Sequence, residues 1–130
     1  MASCVVIHAS GVTSAVRWIR KRPTSAQFWR WTWLFIVVAG WMILLHLSEI
    51  TAWAVLYSLG SAMPDLPSAL YFSAVTYTTT GYGDLVLPPD WRLVGGVEAL
   101  TGILMCAWST GFFVAVVGRM YEARPVGTQP

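Results

Sequence analysis

Charge is scarce in this chain. Only 11% of its 130 residues are charged, against about a quarter in an ordinary soluble domain, while 56% are hydrophobic. That balance excludes a disordered chain and argues against a typical soluble enzyme. The length suits one small domain and not two. A net charge of +2 is too small for a nucleic-acid surface. Cysteine is limited to Cys4 and Cys106, far apart in apolar segments, which reads as two reduced core thiols and not as a disulfide or metal pair. Histidine is limited to His8 and His46, on separate segments without ligand spacing, so no catalytic or metal cluster is evident. A secretory signal carries its positive charge ahead of the apolar run; here Arg17, Arg20, Lys21 and Arg22 follow it.

What the chain does have is Trp, eight in all, and long apolar runs. Trp favours membrane–water boundaries. One run starts at Trp31, meets no formal charge until Glu49 and continues to Leu59; the other extends from Leu93 to Val117 with Glu98 as its only formal charge. A span needs about 20 mainly apolar residues, so both are long enough, with tilt or overhang. Seven of the eight basic residues flank the outer ends of this block: Arg17, Arg20, Lys21, Arg22 and Arg30 before it, Arg119 and Arg124 after it. Positive flanks stay cytoplasmic, so both ends of the block are expected in the cytoplasm and the intervening Asp65, Asp84 and Asp90 outside. Phe28, Trp29, Trp31 and Trp33 mark the inner boundary of the first span, Trp91 the outer boundary of the second and Tyr121 its inner exit.

The expected organisation is an N-terminal segment over 1–26, a membrane block over 27–121 and an unstructured cytoplasmic tail over 122–130. The N-terminal residues are apolar but diluted by Ser10, Gly11, Thr13 and Ser14. A helix lying on or partly entering the membrane fits them best, with a short extra span, its N-terminus outside, as the alternative. The link between the spans is the informative part. Pro67 suits the first turn of a new helix with Asp65 or Leu66 near its cap. The expected elements are an outer helix over 28–59, a helix of about three turns over 67–78, an extended segment over 79–84 punctuated by Gly81 and Gly83, and an inner helix over 91–121. A half-length helix followed by a Gly-punctuated strand is a re-entrant loop, tolerated at membrane depth only where it is buried in protein or lines a watery path. Glycine permits positive φ there, which lets successive carbonyls face one axis.

The string Thr76-Tyr-Thr-Thr-Thr-Gly-Tyr-Gly-Asp84 resembles the signature of the potassium channels, and the resemblance extends from Trp31 to Tyr121 in the order span, pore helix, filter, span. It implies an all-α membrane protein of the cell membrane, multi-pass, with two transmembrane helices flanking a re-entrant pore helix and selectivity filter, homotetrameric because one chain supplies one loop. It implies that K+ is bound by the carbonyls of Thr79, Thr80, Gly81 and Tyr82, with Gly83 completing the filter and the Thr79 hydroxyl completing the innermost site. The implied partners are K+, the lipid bilayer and three identical subunits, with no nucleic acid and no cofactor beyond the permeant ion. Filter support would come from Asp84, Tyr71, Phe72 and Glu98.

The chain departs from the pattern at two places. Thr80 stands where Val is usual, which changes packing behind the filter; Val75 stands where a member of the family carries a carboxylate, so Asp84 is expected to lack that partner. Glu98 is an ionisable group within a span, which marks a functional site; it is expected to hydrogen-bond behind the filter or to the pore helix, or else to lie protonated or wet near the outer mouth. Gly102 matches the family's hinge, with close packing as the other reading and Gly111 as a second candidate; Ile103, Cys106, Thr110, Val114 and Gly118 follow at helical spacing as a pore-lining face. His46 and Glu49 share a helix face near the outer boundary, as a pH-sensitive pair or as a snorkelling or packing feature. No Arg-repeat voltage-sensing helix is present, and the tail is too short for a ligand-sensing domain. A nonselective cation channel and a nonconducting membrane subunit keep the same architecture and stay open at this point.

Overall fold

The computed structural model describes residues 1–21 and 28–122. Arg22, Arg124 and most of the tail expected to be unstructured lie outside the described residues. The described chain is helical, with no strand among the described residues. Four helices follow one another: α1, Ala2–Arg20; α2, Phe28–Leu59; α3, Leu66–Tyr77; and α4, Arg92–Glu122, entered through a single 3-10 turn at Pro89–Trp91.

Three of these helices are long and apolar enough to cross a membrane: Ala2–Arg20, Trp29–Leu59 and Pro89–Arg119. At about 1.5 Å per residue, α2 and α4 exceed a hydrocarbon core about 30 Å thick and fit it with tilt or overhang. Helix α3, with 12 residues, is too short to cross. Its start follows local chemistry. Asp65 is extended at φ −154° and ψ 166°, its side chain accepts the Ser68 backbone N–H at 2.7 Å, and Pro67 sits in the first turn, where a missing N–H costs nothing. That donated N–H holds the Asp65 carboxyl below the usual carboxylate range. The helix ends at Thr78, whose hydroxyl turns back to the Ala74 carbonyl at 2.8 Å.

Helix α1, expected as a segment lying on or partly entering the membrane, is long and apolar enough to cross one and packs along the other helices. Its buried side chains, Cys4, His8, Gly11, Ala15 and Ile19, recur every three or four residues and form one face. Cys4 joins a core with Ile50 and Trp53, His8 bonds Glu49, the Gly11 carbonyl accepts the Trp41 indole N–H at 3.1 Å, and Ala15 and Ile19 pack with Val38 and Met42. Positions that rise along α1 fall along α2, so the two helices are antiparallel. The same face of α1 also touches α4, with Phe112 and Val116 in the Ala15–Ile19 cluster. Ser10 and Ser14 satisfy their hydroxyls on backbone carbonyls within the helix, so neither needs water to do so.

Helix α3 lies against both α2 and α4. Tyr57, Phe72 and Trp91 meet around its first half, with Phe72 edge-on to Tyr57 at 5.4 Å and Trp91 edge-on at 6.0 Å. Its second half is fixed by polar contacts, described next.

Candidate ion pathway

The segment after α3 changes hand residue by residue. Thr79 has φ 59°, Gly81 φ 52° and Gly83 φ 77°, whereas Thr80 and Tyr82 are not among the positive-φ residues. Alternating right- and left-handed residues turn successive peptide N–H groups to one side and the carbonyls to the other. Gly81 and Gly83 take the left-handed region without steric cost; Thr79 takes it against its Cβ and is held by its own N–H bonded to the Thr76 carbonyl at 2.9 Å. The Gly81 N–H bonds the Val75 carbonyl at 3.0 Å, tying the segment to the end of α3. Residues 78–84 are all exposed. Among the described residues, no hydrogen bond is donated to the carbonyls of Thr79, Thr80, Gly81 or Tyr82.

The side chains expected around this segment fall into separate groups. The Tyr71 hydroxyl donates to Asp84 at 2.7 Å, so Asp84 has a different partner from the carboxylate that it lacks at position 75. Val75 cannot bond it, but Tyr71 lies one turn earlier on the same face and its longer side chain reaches. The bond holds the Asp84 carboxyl below the usual carboxylate range and raises the Tyr71 hydroxyl. Phe72 is buried and Tyr71 is exposed. Thr80 does not pack inward in the single chain; it is exposed, with its hydroxyl 2.9 Å from that of Thr78.

Glu98 is fully buried and not at a wet mouth. It accepts the Tyr57 hydroxyl of α2 at 2.7 Å and makes a short contact with the Ser73 hydroxyl of α3, which also reaches the Ile50 carbonyl at 2.9 Å. Gly102 is buried, and α4 continues unbroken through it. A Cβ there would overlap the Tyr77 carbonyl, so the absent side chain is what lets α4 lie against the end of α3. Ile103, Cys106, Thr110, Val114 and Gly118 are exposed on the single chain.

The histidines depart furthest from the sequence expectation. His8 and His46, read as unrelated, come together with Glu49 because α1 docks antiparallel on α2. His8 and Glu49 are fully buried in the group. It meets the end of α3 through the Tyr77 hydroxyl, hydrogen-bonded to Glu49 and 3.1 Å from His46 Nδ1. The signal available in the sequence was the small-residue face Cys4, Gly11 and Ala15, on which His8 sits.

The family model described as "Ion channel" matches residues 32–119, about two thirds of the chain. Among curated proteins, the chain is 40% identical over 63 residues to the potassium voltage-gated channel protein shk-1 of Caenorhabditis elegans, covering 48% of this chain and 12% of that one. It is 36% identical over 66 residues to the potassium voltage-gated channel protein Shal of Drosophila melanogaster, covering 48% of this chain and 11% of that one. The chain thus spans about a tenth of the length of these curated relatives. No solved structure gives a significant match. With the match running from the first turns of α2 to the last turns of α4, across the filter-like segment, the chain belongs to the ion channel family, the pore-module family that its Thr79–Asp84 motif resembles.

Proposed function

We propose that four copies of this chain surround a potassium-selective pore in the cell membrane. The observation that carries this reading is the backbone at residues 79–83: alternating hand, full exposure and carbonyl oxygens that no described donor claims. Backbone oxygens without donors are costly unless water or a cation meets them. A ring of four such segments replaces the hydration shell of K+ with the carbonyls of Thr79, Thr80, Gly81 and Tyr82 and the hydroxyl of Thr79, and ions advance by knock-on between stacked sites. One chain supplies one segment, so the ring needs identical copies about a closed axis.

The remaining parts take roles consistent with that arrangement. Helix α3 is the pore helix, and its negative C-terminal end favours a cation in the cavity below the filter. The Tyr71–Asp84 bond and the buried Glu98 group hold the filter from behind. The exposed face Ile103, Cys106, Thr110, Val114 and Gly118 lines the inner cavity. The basic flanks put the start of α2 and the end of α4 in the cytoplasm, and α1, antiparallel to α2, then crosses with residue 1 outside. The potassium preference is supported by the motif and by the names of the relatives matched over half the chain.

Purified chain in liposomes tests the reading. Potassium flux that barium blocks, with little sodium flux, is the expected result. Equal potassium and sodium fluxes would replace selectivity with a nonselective cation pore, and an assembled tetramer that passes neither ion would make the chain a nonconducting subunit.

A further inference from the structure

The cluster on Glu49 has a geometry that the pore does not require. Both imidazoles turn Nδ1 toward its carboxylate, His8 at 3.0 Å from Oε1 and His46 at 3.6 Å from Oε2. Both turn Nε2 toward a single oxygen, Ser109 Oγ of α4, at 3.3 Å from His8 and 3.0 Å from His46. One ligand atom from each of His8, His46 and Glu49 lies within 4.8 Å of the others. His8 and Glu49 side chains are 0% exposed, and His46, at 20%, is the side from which the group is reached.

We propose that His8, His46 and Glu49 form a binding site for a divalent transition-metal cation of the zinc class, which fastens α1 to the pore module. Imidazole nitrogen and carboxylate oxygen are zinc donors, and ligands at about 2.0–2.1 Å from a tetrahedral ion lie about 3.3 Å from one another. The Nδ1–carboxylate separations, 3.0 Å to Oε1 and 3.6 Å to Oε2, are close to that spacing, and the three ligand atoms lie within 4.8 Å of one another.

Hydrogen bonding around the rings supports a cation at the Nδ1 side. Ser109 Oγ has two lone pairs and one hydrogen. When its lone pairs accept both Nε2–H groups and its hydrogen turns to Met42 Sδ, 3.7 Å away, both rings present a bare Nδ1 on the carboxylate side, where it can ligate a cation. A ligating His that passes its other N–H to an oxygen is the usual outer arrangement of metal sites.

The Tyr77 hydroxyl, hydrogen-bonded to Glu49 and 3.1 Å from His46 Nδ1, is placed to supply a fourth oxygen. The titratable groups that face the cluster are Tyr77 of α3, Cys4 of α1 and Cys106 of α4. The site does not depend on the potassium reading, because metal binding is measured on the protein directly.

Full-length chain in nanodiscs, stripped with a chelator, is titrated with Zn2+ alone. The expected result is one ion per chain, with two imidazole ligands at about 2.0–2.1 Å in X-ray absorption and an apparent affinity that falls in acid, where protons compete for the ligands. The His8→Gln and His46→Gln variants each bind at least about tenfold more weakly. Binding by the wild type no tighter than by the His8→Gln/His46→Gln double variant overturns the site, as does an absorption spectrum without imidazole. If the variants fail to fold, wild-type stoichiometry and spectrum decide alone. A cluster that titrates with acid but retains no zinc also overturns it and leaves a proton as the occupant.

Discussion

Glu49 and Glu98 are both fully buried, both touch α3 and both are hydrogen-bonded to a tyrosine hydroxyl, Tyr77 for Glu49 and Tyr57 for Glu98. Their other partners differ in kind. Glu49 faces two imidazoles that can carry positive charge or a metal. Glu98 faces Ser73, whose single hydrogen has the Ile50 carbonyl, a pure acceptor, as a second claimant. With that hydrogen on Ile50, Glu98 would be the protonated partner of Ser73; with it on Glu98, the carboxylate accepts from two hydroxyls. An isolated buried carboxylate is too costly to keep, and α3 meets each of the two with a hydroxyl, Ser73 and, one turn on, Tyr77.

The variant expected to have the largest effect is Glu49→Gln. Removing the buried carboxylate takes from His8 and Tyr77 the acceptor that both bond, a loss of about 3 kcal/mol per chain. Thermal unfolding of the chelator-treated protein in detergent should show it, together with detachment of α1, read as faster hydrogen exchange over residues 2–20. A Glu49→Gln protein as stable as the wild type would erase the distinction between the two carboxylates.

The legible and illegible parts of the molecule divide along the same lines. The long helices could be read because hydropathy acts over many residues at once, and α3 because Asp65 and Pro67 are local start signals. Positive φ at Gly81 and Gly83 follows from glycine itself, whereas Thr79 at φ 59° follows from no local rule and depends on its bond to Thr76. The Glu49 group escaped the sequence because His8 and Glu49 are 41 residues apart and meet only through helix docking. The same holds for Tyr57 and Glu98, also 41 apart. Of the two readings of Gly102, the sequence could not supply the close approach, since the chain that fills the space beside it, at Tyr77, belongs to another helix.

Asp84 sharpens the comparison, as a third carboxylate bonded by a tyrosine hydroxyl but exposed on the chain. Water supports its charge, and the Tyr71 hydroxyl holds its carboxyl below the usual range. A carboxyl lowered on folding adds stability above its unfolded pKa, about 3.9, and that stability is lost as pH falls through the lower folded value. Tyr71→Phe should therefore lower the unfolding midpoint by a constant amount at neutral and mildly acidic pH, with the gap closing below the ordinary carboxylate range. A gap that persists unchanged in strong acid would assign the effect to ring packing and not to the hydroxyl–carboxylate bond.

The smallest effect is expected where a charge argument alone would predict a large one. Glu98→Gln preserves the pattern of the neutral acid: its amide N–H donates to Ser73, its oxygen accepts from Tyr57, and Ser73 keeps its bond to Ile50. Replacing one neutral hydrogen-bonded group by another of the same shape changes stability by less than about 1 kcal/mol, and the unfolding midpoint should stay near that of the wild type. If Glu98 were instead an anion, the substitution would remove two charge-assisted hydrogen bonds, from Tyr57 and Ser73, and the loss would be larger. The ratio of the two glutamine variants, measured side by side in one detergent, therefore reports the protonation state of Glu98 without titrating it.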